Sequence, residues 1–99
     1  MTQITDTIHG ELVDESATLT MAQVCRACGL SVDTVIEYVE FGVVEPLDTR
    51  SQPWCFRPSS LNRIKIAVRL TRDLGVNTPG LALALELLDE LALLRRGGF

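Results

Sequence analysis

Cys25 and Cys28, in the run Cys25-Arg26-Ala27-Cys28, have the spacing at which two thiolates reach one tetrahedral zinc ion. Cys55 and His9, the sole histidine, could complete such a set. No second Cys-x-x-Cys and no histidine pair accompanies them, and cysteines on helices commonly act as small core residues. A thioredoxin-type redox pair would need a surrounding βαβ pattern, which the sequence lacks. His9 has no evident nucleophile to activate, and neither a phosphate loop nor a nucleophile elbow is present. The chain is therefore expected to have no catalytic residue, no metal and no cofactor, and it is not read as an enzyme.

Charge is the more informative chemistry. Between residues 31 and 48 the acids Asp33, Glu37, Glu40, Glu45 and Asp48 stand without a single Lys or Arg. Arg57, Arg63, Lys65, Arg69 and Arg72 then precede Asp73. Each sign could be a solvated helix face, or a docking surface for a partner of opposite charge. The separation gives a small domain an electrical dipole able to steer association.

The elements that would carry these groups can be read from caps and periodicity. Thr20-Met21-Ala22-Gln23 is a capping box, after which Met21, Val24, Cys25 and Cys28 share one helical face and Gly29 stops the helix. Ser31 caps a second helix with Asp33 near its positive end. Val32, Val35, Ile36 and Val39 form its inward stripe through to Phe41, and Gly42 ends it. Two short helices across a glycine turn make a helix-turn-helix over residues 20–42. Val43-Val44 and Trp54-Cys55-Phe56 are predicted as the two strands of a wing, residues 43–57, with Trp54 and Phe56 packing it onto the body. Pro58 opens a third helix, 58–75, with Leu61, Ile64, Val68, Thr71 and Leu74 at helical spacing and Gly75 as its stop.

Thr78-Pro79 opens the last helix, residues 78–96, with Thr78 as its cap. Eight leucines at positions 81, 83, 85, 87, 88, 91, 93 and 94 point nearly all round it, so one face cannot bury them all. It is expected to pair with its copy in a homodimer through Leu81, Leu85, Leu88, Leu91 and Leu94. Residues 1–19 form an N-terminal extension, where Glu11-Leu12-Val13 and Ala17-Thr18-Leu19 flank a polar turn suited to a short hairpin. The whole is one mainly α domain spanning residues 1–99.

The composition agrees with a folded soluble protein: 99 residues, 46% hydrophobic, 22% charged, with five aromatics. The start Met1-Thr2-Gln3-Ile4-Thr5-Asp6 lacks the basic and apolar character of a signal peptide, and Glu86, Asp89 and Glu90 interrupt the most apolar stretch. Cytoplasmic residence with reduced thiols is the expectation. A formal net charge of −4 and an acidic second helix both disfavour nucleic acid as a ligand.

The run Leu19-Thr20-Met21-Ala22-Gln23-Val24-Cys25, followed by Gly29-Leu30-Ser31, Val43-Val44-Glu45-Pro46 and Trp54-Cys55-Phe56, resembles the MerR-like winged-helix superfamily. Phe41-Gly42-Val43-Val44-Glu45-Pro46, Ala67-Val68-Arg69-Leu70, the segment from Asp73 to Ala82, and Leu87-Leu88-Asp89-Glu90-Leu91 look most like its chaperone-modulator CbpM family. The likeness spans about residues 19–94. True MerR-type regulators carry Arg-Tyr-Tyr where this chain has Ile36-Glu37-Tyr38, and Tyr-Arg-x-Tyr where it has Pro53-Trp54-Cys55-Phe56. The resemblance implies a MerR-like winged helix-turn-helix with a small β wing and a C-terminal leucine-rich helix. It further implies a regulator that binds the J-domain of a DnaJ-like co-chaperone and inhibits its stimulation of an Hsp70 partner. The family's J-domains bear a basic helix, which gives the acidic run Asp33, Glu37, Glu40, Glu45 and Asp48 a protein ligand. A MerR-like DNA-binding transcription regulator, reading DNA through the third helix or a partner subunit, is the alternative.

Overall fold

Thr20 begins the helical body by accepting the Gln23 backbone N–H at 3.1 Å, while the Gln23 side chain accepts the Thr20 N–H at 2.8 Å. This reciprocal capping box launches α1, Met21–Cys28. The computed structural model describes residues 17–97 together with the strands β1, Thr7–Ile8, and β2, Glu11–Leu12. Gly29, at φ 68°, ends α1 in the left-handed region, where a side chain is strained, and the Leu30 N–H closes back on the Cys25 carbonyl. Ser31 then caps α2, Val32–Glu40, through the Thr34 N–H. The helix-turn-helix is thus set by two side-chain caps and one glycine.

Four further elements complete the described chain. Strand β3, Leu19–Thr20, immediately precedes α1, and β4, Cys55–Phe56, immediately precedes α3, Pro58–Leu74. The last helix, α4, runs Thr78–Arg96. Helix α1 packs on both α2 and α3, and α3 in turn carries α4. Val24, Val35, Tyr38, Val43, Val44, Phe56, Ile64, Ala67, Leu81 and Leu85 meet in a single core. Each such large apolar side chain contributes about 1.5–3 kcal/mol by leaving water.

The mainly helical architecture with a small antiparallel sheet agrees with the sequence reading, but several details differ. β4 pairs antiparallel with β3, Leu19 opposite Phe56, rather than with Val43-Val44. Val43 and Val44 are core residues of an irregular turn; Gly42, at φ 78°, directs the Val43 N–H to the Tyr38 carbonyl and turns the chain inward. The turn reaches β4 through one bond, Leu47 N–H to Cys55 carbonyl, 2.8 Å. In the N-terminal extension, Glu11–Leu12 pairs with Thr7–Ile8, not with residues 17–19, which belong to the stretch leading into α1.

The inward face of α2 is also rotated from the expected one. Tyr38, outside the expected inward stripe, is buried beside Val35, whereas Val32 and Phe41 are each 48% exposed. Packing on α1 selects this face, and a pattern of β-branched residues does not specify it. On α4 the cap is Asn77, whose Oδ1 accepts the Gly80 N–H at 2.9 Å, so Thr78 is the first helical residue. Leu81 and Leu85 are 0% and 2% exposed and belong to the core. They are therefore not available as dimer contacts. Leu88, Leu91 and Leu94 remain on the surface with Leu83, Leu87 and Leu93.

Candidate partner-binding surface

Asp33, Glu37 and Glu40 are spaced i, i+4, i+7 and form one stripe along α2. Val35 and Tyr38 point into the core, and all three carboxylates are exposed. No ion pair among the described residues engages them. The surface that a helix-turn-helix would turn toward DNA is thus anionic along the whole of α2. Beside it, burial pushes the Tyr38 phenol pKa up, reinforced by the Glu37 charge and by Cys28.

The acidic run continues past the helix, but its two outer members behave differently. Glu45 is exposed on the turn after α2 and makes no described ion pair. Asp48 is drawn into its own loop: its Oδ1 accepts the Arg50 backbone N–H at 3.0 Å and faces the Arg50 Nε at 3.4 Å. A side chain committed to an Asx-type turn is less free to meet a partner. Trp54 closes the same loop by donating its indole N–H to the Thr49 carbonyl at 3.2 Å.

The basic third helix is more dispersed in space than in sequence. Arg63 is tied inside the domain, with Nε donating to the Val43 carbonyl at 2.6 Å and Nη1 lying 3.1 Å from both oxygens of Asp89. Arg72 pairs with neighbouring Asp73 through Nε at 3.0 Å. Arg57 and Arg69 are exposed, and Lys65 is half-buried near Cys28. The five cations therefore do not make one free basic face.

Between the Phe41–Leu47 turn, the first half of α3 and the middle of α4 lies an open groove of about 980 Å³. Four large apolar side chains on its walls are exposed: Phe41 and Leu47 from the turn, Leu83 and Leu88 from α4. Sequence reasoning missed Phe41 and Leu47. The signal was an apolar residue beside a glycine stop and another inside a polar loop, and only the fold brings them together with the α4 leucines.

The cysteines do not assemble a chemical site. Cys25, Cys28 and Cys55 are free, half-buried thiols. Among the described residues no group of three or more His, Cys, Asp or Glu side chains is arranged to hold a metal ion; His9 lies outside them. Burial raises the Cys28 pKa; nearby Lys65 offsets this and Cys25 adds to it. A thiol held protonated is a poor nucleophile and a poor ligand. Among the described residues no helix is long and apolar enough to cross a membrane.

Comparison with known proteins agrees with this arrangement. Residues 19–97 match the model of the MerR HTH family regulatory proteins. The chain is 37% identical over 84 residues to the chaperone modulatory protein CbpM of Coxiella burnetii, covering 85% of this chain and 79% of that protein. It is 42% identical over 77 residues to the protein of the same name from Pseudomonas entomophila, covering 78% and 76% of the two chains. With the protein of that name from Escherichia coli the identity is 33% over 85 residues, 86% and 84% of the two chains. With its capped helix-turn-helix, its anionic α2 and these relatives, the chain belongs to the chaperone-modulator CbpM family of MerR-like helix-turn-helix proteins.

Proposed function

We propose that this chain is a cytoplasmic chaperone modulator that binds the J-domain of a DnaJ-like co-chaperone and inhibits it by occupancy, without catalysis. The observation that carries the reading is the Asp33-Glu37-Glu40 stripe, exposed on α2 and outside every described ion pair. A basic helix laid along it gains electrostatic steering and specificity, while an anionic polymer is repelled. Glu45 extends the surface, and Asp48 lies at its edge. The relatives' name, chaperone modulatory protein, supports a chaperone system as the target.

The same reading includes a homodimer through the outer part of α4, where Leu88, Leu91 and Leu94 are 46%, 48% and 50% exposed. Such a row of leucines on a projecting helix suits a helix–helix interface.

Calorimetric titration of the full chain with the purified J-domain of a DnaJ-like co-chaperone tests the proposal. The double variant Glu37→Lys/Glu40→Lys is expected to bind at least tenfold more weakly, about 1.4 kcal/mol, with the wild-type affinity itself falling as salt is raised. Unchanged affinity would remove those carboxylates from the interface. Both lie on the solvent side of α2, so the variant's melting curve should match the wild type's.

A further inference from the structure

The exposed apolar side chains of the groove are not scattered. Phe41, Leu47, Leu83 and Leu88 come from different elements and converge on one concavity. Single exposed leucines are ordinary on a protein surface, but a convergent set marks an interaction site. Below them, Val43, Val44 and Leu85 make a floor that is 0%, 1% and 2% exposed. Arg63 fixes two walls relative to each other, since it binds the Val43 carbonyl and the Asp89 carboxylate together. The groove is therefore shaped before any ligand arrives, which lowers the ordering needed on binding.

Its charge states what kind of segment fits. Asp89 is already engaged by Arg63, which leaves Glu45 and Glu86 without a described ion pair against one such cation, Arg57, so the free charge of the lining is acidic by one. Among the described lining residues none belongs to β3 or β4, so their paired edges are not offered there to an extended peptide. A space of about 980 Å³ that is open to solvent has room for one face of a helix, whose width is about 10 Å with side chains.

We propose that this groove receives an amphipathic helix of a basic protein partner. One large apolar side chain of that helix seats among Phe41, Leu47, Leu83 and Leu88, and a neighbouring lysine or arginine meets Glu45 and Glu86. The proposal rests on the basic-partner reading above and adds to it an apolar anchor off the α2 stripe. Buried apolar anchors carry a disproportionate share of binding energy, with charges at the rim contributing steering.

The test uses the full chain and the J-domain of a DnaJ-like co-chaperone, comparing wild type, Phe41→Ser/Leu47→Ser and Glu37→Lys/Glu40→Lys by calorimetry. Phe41 and Leu47 lie off both α4 and the acidic stripe, so neither the dimer helix nor the carboxylates are altered. The groove variant is expected to lose affinity by at least about tenfold, mainly through faster dissociation, with elution volume and melting temperature close to wild type. Should its melting temperature fall sharply, Phe41→Gln alone is titrated, and it must show the same loss. Full affinity in the groove variants, with loss in the charge variant, overturns the groove alone. A change of oligomeric state in the groove variants identifies a second copy of this chain as the occupant and also overturns it. Absence of binding by the wild type defeats the basic-partner reading and this proposal with it.

Discussion

Arg63 on α3 grips Asp89 on α4 end-on, with Nη1 at 3.1 Å from each carboxylate oxygen, while the neighbouring Nε holds the Val43 carbonyl at 2.6 Å. One guanidinium thus joins the turn after the helix-turn-helix to both C-terminal helices. The two halves of this arrangement differ in environment. The Asp89 side chain is 62% exposed, so its ion pair is screened and contributes about 0–1 kcal/mol. The bond to Val43 is part-buried and charge-assisted, and losing it strands a carbonyl near the core.

Arg63→Ala should accordingly destabilise the fold by about 1–3 kcal/mol and Asp89→Asn by less than about 1 kcal/mol, as read from urea unfolding at constant m. Equal losses for the two variants would assign the stabilisation to the ion pair and contradict this division.

Gly42→Ala isolates a backbone effect. A Cβ at this position would meet nothing within 4 Å, so packing does not oppose the substitution. The cost comes from φ 78° alone, about 1–2 kcal/mol for an L-residue in the left-handed region. Gly42→Asn, better tolerated there, should lose less. Identical melting temperatures for glycine, asparagine and alanine at this position would show that the turn relaxes freely.

Features set by neighbours a few residues apart were legible in the sequence. Thr20 with Gln23, Ser31, Gly29 and Gly75 mark the helix ends where they occur, because caps and left-handed stops act within one turn. The acidic stripe was legible too, since i, i+4, i+7 spacing survives any rotation of the helix. What required the fold was long-range. Val43-Val44 has the composition of a strand, yet its neighbours claim it for the core, and β4 takes Leu19–Thr20 from far upstream as its partner. The division of α4 leucines between core and surface depends on where α3 stops supporting the helix. Leu81 and Leu85 fall on one side of that point and Leu88 on the other, and a uniform leucine repeat cannot mark it. Phe41 belonged to an apolar stripe in sequence and to the groove in space.

Alkaline pH gives a separate test of the interior around α2. The Cys28 thiol and Tyr38 phenol both have raised pKa values, from ordinary values of 9.0 and 10.0, with burial as the first cause. In the folded state these groups keep their protons to higher pH than in the unfolded chain, so the unfolded state gains by releasing them first. Stability should be indifferent to the two groups below about pH 8 and should fall as pH rises through 9 and 10. Thermal melts from pH 7 upward check the sign. Tyr38→Phe removes one titrating group and should flatten the decline, provided its melt at neutral pH is compared as its own reference. Rapid alkylation of native Cys28 at pH 8 would contradict the raised pKa.

The outer half of α4 supplies the last test. From Glu86 onward every described residue of this helix is exposed, and Leu87, Leu88, Leu91, Leu93 and Leu94 are each about half exposed or more. That apolar surface extends beyond the chain's own core, whereas Leu81 and Leu85 do not contribute to it. Leu91→Arg is therefore expected to shift the protein from dimer to monomer in analytical ultracentrifugation while leaving helicity intact, because no core contact is lost. Leu85→Arg places a charge inside the core instead and should unfold the domain, separating the two roles along one helix. Leu88 borders both the groove and this outer face, so Leu88→Arg should weaken self-association and partner binding together. A wild-type chain that sediments as a monomer at all accessible concentrations would remove the dimer and leave the α4 leucines to a different protein.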